Sequence, residues 1–192
     1  MINKKLKIIN NKKKTLLNSL FKSKNFFGES LNKTNKDILP FIYGIRHGYS
    51  IINLKYTIYF FKRIINLINN IFRKKKKILI VGNTADINFL LKRDFVKNNK
   101  NIIFFNKKWI NGILTNKNIS SILKKKKIDL IFVIKSSSNE KYFFKEIFNS
   151  KIPLIAFADT NQSLKYINYP IITNCRNIKS LFLLMYLIRK AI

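Results

Sequence analysis

Five short apolar runs dominate the second half of this chain, each too short for a helix and most followed by a stretch long enough to be one. They are ILIV (Ile78–Val81), IIFF (Ile102–Phe105), LIFVI (Leu130–Ile134), PLIAFA (Pro153–Ala158) and YPII (Tyr169–Ile172). A strand with one wet face alternates apolar and polar residues, whereas a strand covered on both faces reads as a continuous apolar run. Helical spacing fills intervals between them at Asp86–Phe95 and Asn139–Phe148, and a closing helix is expected over about Ile178–Arg189. Strand and helix in alternation predict a doubly wound α/β domain with a parallel sheet of about five strands and helices on both faces.

Ahead of the first run, IINLKYTIYFFKRIINLINNIF (Ile51–Phe72) places its apolar residues on one helical face and Lys55, Lys62, Arg63 and Asn66 elsewhere. A long amphipathic helix starting near Lys55 follows. Residues 1–35 are rich in lysine and asparagine with weak periodicity, interrupted by the apolar piece Leu16–Phe21, and read as a basic N-terminal arm before a domain over 36–192. MINKKLKIINNKKKTLL lacks acids, as a transit peptide does, but it is lysine-asparagine-rich rather than arginine-serine-rich, which favours the arm.

Charge decides the class of partner. There are 39 Lys and Arg against 8 Asp and Glu, a net charge of +31, and a compact domain so charged repels itself until a polyanion neutralises it. Nucleic acid is the natural polyanion. A membrane span is disfavoured, because the longest clean apolar run, Leu181–Ile188, falls far short of the roughly 20 residues needed. One cysteine, Cys175, and one histidine, His47, can build neither an internal disulfide nor a four-ligand zinc site, so no metal or cofactor is expected. Abundant Lys, Asn, Ile and Phe have A- and T-rich codons in common, which points to the genome of an organelle or a reduced endosymbiont.

An α/β sheet invites an enzyme reading, which the residues do not support. After Val81 comes Gly82-Asn83-Thr84-Ala85-Asp86, with one glycine where a dinucleotide or phosphate loop needs several. Gly82 reads as a tight strand-to-helix turn with Thr84 or Asp86 as cap. Asp159 follows a strand at the edge where catalytic carboxylates sit, yet no second titrating group can be named beside it, and Asp159, Thr160 and Asn161 read as a hydrogen-bonded turn.

Candidate RNA contacts are the basic positions Lys22, Lys24, Lys33 and Lys36, the run Lys74, Lys75, Lys76 and Lys77, and the pair Arg46 and His47 between Gly44 and Gly48. The last pair reads as a flexible loop presenting one planar cationic fork to RNA backbone. Lys124–Lys127 leads into a strand as Lys74–Lys77 does, and either run could be a solvated connection. In KKWINGILTN (Lys107–Asn116), Lys107 and Lys108 supply charge, Gly112 permits a tight turn, and Thr115 and Asn116, followed by Lys117, can cap a helix or meet a sugar-phosphate edge. Trp109 could stack on a base, but beside Ile110, Ile113 and Leu114 burial is favoured.

Taken in order, LPFIYGIRHGYSIINLKYT (Leu39–Thr57), ILIVGNT (Ile78–Thr84), IIFFNKKWINGILTN (Ile102–Asn116), IDLIFVI (Ile128–Ile134) and IPLIAFADTN (Ile152–Asn161) with YPI (Tyr169–Ile171) resemble the ribosomal small-subunit protein 2 family, from about Phe27 onward. The resemblance implies a flavodoxin-like parallel sheet serving as a non-catalytic scaffold for small-subunit ribosomal RNA and neighbouring small-subunit ribosomal proteins. Trp109, Gly112, Leu114, Thr115 and Asn116 look like the family's Trp-Leu-Gly-Gly-x-Leu-Thr-Asn signature, and Asp159, Thr160 and Asn161 like its Asp-Thr-Asn turn. Gly44, Arg46, Ile52, Asn53 and Leu54 look like its N-terminal box. Asn111 stands where the family usually has a first glycine, and Lys108 where it usually has arginine. Bacterial members carry a long helical hairpin where only Ile119–Lys127 stands here, and they usually extend beyond the last helix. These departures favour an organellar form, with a mitochondrial ribosome as the expected home and a plastid or endosymbiont as alternatives. A degenerate nucleotide-binding α/β enzyme and a basic nucleic-acid-binding protein outside the ribosome are the competing readings.

Overall fold

The computed structural model describes residues 14–82, 101–105, 109, 112–114, 128–135 and 140–191. In chain order its elements are a helix over residues 14–22 (α1), β1 (Phe27–Ser30), β2 (Ile42–Arg46), β3 (Tyr49–Ile52), α2 (Leu54–Arg73), β4 (Lys77–Val81), β5 (Ile102–Phe105), β6 (Ile128–Val133), α3 (Glu140–Asn149), β7 (Leu154–Ala158), β8 (Tyr169–Ile172) and α4 (Ile178–Ala191). Each of the five apolar runs is a strand of one parallel sheet, ordered β5-β4-β6-β7-β8. Numbered from β4, that is the 2-1-3-4-5 order of a flavodoxin-like fold.

Successive side chains of a strand point to opposite faces, so each run feeds two cores. Ile78, Ile80, Leu130, Phe132, Ile155, Phe157 and Ile171 meet α2 and α4 through Ile58, Phe61, Ile64, Leu181, Leu184 and Ile188. Leu79, Val81, Ile131, Val133, Leu154, Ala156 and Ala158 face the other way, onto Phe143, Phe144 and Ile147 of α3. The alternation explains why the runs contain no polar residue: either face would bury it. The helix expected over Asp86–Phe95 lies outside the described residues.

Helix α2 begins where expected because Asn53 caps it, its side chain accepting from the Lys55 N–H at 3.1 Å. In its first turn the buried Thr57 hydroxyl donates to the Ile172 carbonyl at 2.7 Å, fixing the helix to β8.

Two features depart from the sequence reading. The N-terminal box forms a second sheet, antiparallel and ordered β1-β3-β2, whose hairpin register pairs Arg46 with Tyr49 and Ile45 with Ser50. His47 and Gly48 therefore form a two-residue turn, with Gly44 in β2 opposite Ile51, rather than a flexible loop between two glycines. His47 (φ 48°) and Gly48 (φ 77°) both take the left-handed conformation, as a type I′ hairpin requires. The apolar piece Leu16–Phe21 also packs: Leu20 is 2% exposed and joins the core against α2 and α4. Its lysine-rich surroundings hide a single buried leucine from any periodicity argument.

Candidate nucleic-acid interface

Two family-like segments, the Asp-Thr-Asn turn after β7 and the described part of the Trp109 signature after β5, lie at the C-terminal edge of the sheet, and the structure shows which of their residues are internal supports. The Asp-Thr-Asn turn follows β7. Asp159 is 4% exposed; its Oδ1 accepts from the Thr160 N–H at 2.7 Å and its Oδ2 from the Cys175 N–H at 3.3 Å. Thr160 in turn accepts at Oγ1 from the Glu29 N–H at 2.7 Å, and its carbonyl accepts from the Asn35 N–H at 2.8 Å. Arg176 pairs with Glu29 and lies 3.6 Å from Asp159, and partial desolvation lowers its pKa. The Asp159 carboxylate shapes the turn and ties it to the segment after β8, while the contacts to Glu29 and Asn35 dock the N-terminal sheet onto the main one. Only Asn161 faces solvent.

Close packing enforces the same docking. A Cβ on Gly28 would lie 2.6 Å from Thr160 Cγ2 and 2.9 Å from the Ser50 carbonyl oxygen. Further along, the buried Asn25 accepts from the Thr173 hydroxyl at 2.7 Å, Asn174 donates to the Lys24 carbonyl at 3.1 Å, and the Ser180 hydroxyl donates to the Ser23 carbonyl at 2.7 Å. Residues 23–25 are thus clasped to residues 173–180, from the end of β8 into the first turn of α4.

Trp109 is a support as well. The indole is 4% exposed and packs on Phe105 at 5.2 Å and edge-on to Phe143 at 4.9 Å, so burial rather than base stacking is its role. Its Nε1 donates to Glu146 Oε2 at 3.2 Å, while the Gly112 and Leu114 N–H groups donate to the same carboxylate at 3.1 and 2.7 Å. Gly112 takes φ 94°, the left-handed conformation a tight turn needs. A single buried acid on α3 therefore holds the signature loop. Glu146 was not singled out from the sequence; an acid among the apolar spacing of YFFKEIF was the signal available.

The candidate RNA contacts fall into separate groups. Lys33, Arg46 and His47 come together, because the Leu31 N–H donates to the Gly48 carbonyl at 2.9 Å and sets the Leu31–Lys33 turn beside the hairpin tip; all three are exposed. Lys22 and Lys24 are exposed at the other end of β1, and Lys36 begins the 3-10 turn that continues to Phe41. Around these cations the rings are half-open: Phe21 stacks on Phe26 at 4.6 Å, and Phe27 lies 5.3 Å from Tyr49. Lys74–Lys77 sits at the opposite, N-terminal edge of the sheet. There Asp129 receives both the Lys77 N–H at 3.0 Å and the Lys76 ammonium at 3.5 Å, leaving Lys74 and Lys75 exposed. Lys107, Lys108, Thr115, Asn116 and Lys117 lie outside the described residues, as do Lys124–Lys127.

Among the described residues no cluster of His, Cys, Asp or Glu could hold a metal ion, and no helix is long and apolar enough to cross a membrane. A doubly wound sheet whose loop carboxylates are engaged in docking, with lysine and arginine on its turns, defines a basic binding scaffold. Comparison with known proteins specifies which. The profile of the family described as Ribosomal protein S2 matches residues 20–130 and 117–192, and the chain belongs to that family. It is 29% identical to the small ribosomal subunit protein uS2 of Shewanella piezotolerans over 186 residues, covering 74% of this chain and 76% of the relative. The uS2 protein of Shewanella sediminis is 28% identical over the same length. The small ribosomal subunit protein uS2m of Acanthamoeba castellanii is 28% identical over 182 residues, covering 92% of this chain and 57% of the relative.

Proposed function

We propose that this chain is a structural, non-catalytic component of the small subunit of a mitochondrial ribosome, where it binds small-subunit ribosomal RNA and neighbouring small-subunit ribosomal proteins. The observation that carries the reading is the family match, which runs through both the N-terminal sheet and the main sheet. Net charge of +31 supports RNA as the principal partner. On this reading the N-terminal stretch to residue 35 with its Lys22, Lys24 and Lys33, the Lys36 turn, the hairpin tip at Arg46 and His47, and the lysines before β4 meet phosphate. Lys107, Lys108, Thr115, Asn116 and Lys117 meet it from the signature loop.

On the same reading the bacterial helical hairpin is absent, which would fit an organellar form. Alignment with the Shewanella piezotolerans protein runs over 186 positions but takes in 74% of 192 residues, about 142, so roughly 44 positions of the relative face no residue here. The family match also divides where its two pieces meet, at 117–130. Similarity to the amoeba uS2m over 92% of the chain favours the mitochondrion. The test is sedimentation of the native protein from fractionated cells. It should travel with small subunits of the mitochondrial fraction; migration with cytoplasmic or plastid subunits would move the compartment, and free migration would refute the ribosomal role.

A further inference from the structure

Helix α2 turns Ile58, Phe61, Ile64 and Ile68 to the core, and a different line of residues runs along one flank. Arg63, Asn66, Asn70 and Lys74 follow one another at steps of three, four and four, the spacing of a single stripe on a helix. They line a groove of about 460 Å³ between α2 and the start of β8, with Leu67 and Tyr169 as its apolar lining. Eleven residues at about 1.5 Å each make the stripe roughly 16 Å long, enough for a few nucleotides of strand.

The polar ends of these side chains are not taken up by hydrogen bonds or ion pairs within the described residues. Among the described residues neither Arg63 nor Lys74 pairs with an acid, and the amides of Asn66 and Asn70 make no hydrogen bond. Arg63 is steadied by the Tyr59 ring, 5.6 Å from its guanidinium carbon. The carboxyl end of a helix repels an anion with about half a charge, which two full cations outweigh. Charge favours RNA; the amides offer both donors and acceptors to sugar and base edges, and the half-buried Tyr169 beside Leu67 presents an apolar lining to a sugar or base. A duplex keeps its bases stacked inside and could use only the rim.

We propose that this groove takes a segment of unpaired ribosomal RNA, its phosphates on Arg63 and Lys74 and a sugar or base against Leu67 and Tyr169. The proposal rests on the ribosomal reading above and gives it a specific place on the surface.

The test uses the full chain and transcribed small-subunit ribosomal RNA carrying 4-thiouridine. Arg63→Ala with Lys74→Ala should lower the log-log salt slope of binding by about two, one for each phosphate contact. It should also abolish photo-crosslinks to the α2 and Tyr169 peptides. Lys62→Ala with Arg73→Ala removes the same charge from exposed positions of the same helix outside the groove, and should change the slope by less and keep the crosslinks. Equal losses in the two variants, or crosslinks confined to other peptides, overturn the groove while leaving RNA binding in place. Intact RNA binding with lost attachment to subunit proteins would assign the groove to an acidic protein segment and overturn it too. If the unaltered chain binds no RNA, the ribosomal reading itself falls.

Discussion

At the scale of single residues, the glycines divide into those the chain needs and one it does not. Gly28→Ala would press a methyl group into Thr160 and the Ser50 carbonyl. It should cost about 1–3 kcal/mol, as overpacking does, read by denaturant unfolding. Gly44 faces open space, so Gly44→Ala should leave stability within about 0.5 kcal/mol, and any loss of subunit incorporation would reveal a partner pressed against β2. Glu146 is the residue with the largest expected effect outside the aromatic core. Glu146→Ala strands three N–H donors, for a loss of about 2–4 kcal/mol, and Glu146→Gln should recover part of it by restoring one oxygen. Trp109→Ala should cost about 3–5 kcal/mol through the emptied space between Phe105 and Phe143. Unchanged stability in that variant with poor RNA affinity would place the ring on a base instead.

At the scale of elements, the hairpin and α2 each depend on one local choice. The turn at His47-Gly48 needs two left-handed residues, and asparagine adopts that conformation more readily than histidine. His47→Asn should therefore hold or slightly raise the melting temperature, and a simultaneous loss of RNA affinity would mark the imidazole as a contact. Asn53→Ala should destabilise by about 1 kcal/mol through the lost cap. The parallel strands were legible in the sequence because both their faces are buried, which makes the apolar runs continuous. The small sheet was not. In β2 and β3 exposed Tyr43, Ile45 and Tyr49 mix with buried Ser50 and Ile52, so polarity does not report which face is buried. Ser50 is tolerated inside because its hydroxyl donates to the Glu29 carbonyl at 2.6 Å, a partner 21 residues away.

At the scale of the whole molecule, charge sets the behaviour that the fold does not. With 39 cations and 8 acids, RNA affinity should fall steeply as salt rises, with a log-log slope of roughly −0.7 to −0.9 per phosphate contact; affinity flat between low and moderate salt would contradict the assignment. The candidate site was legible as a composition but not as a place. Nothing in the lysine spacing says that Lys33 joins Arg46 while Lys74 lies at the far edge of the sheet, since strand order decides both. The clasp between residues 23–25 and 173–180 adds a constraint in time. Its partners are made about 150 residues apart, so at roughly 5–20 residues per second the first half of the clasp waits on the order of ten seconds or more for the second. Until then Asn25 has no Thr173 to meet, and β1 cannot settle fully in its final seat. The protein that joins a ribosome is therefore completed only after most of its own chain has left one.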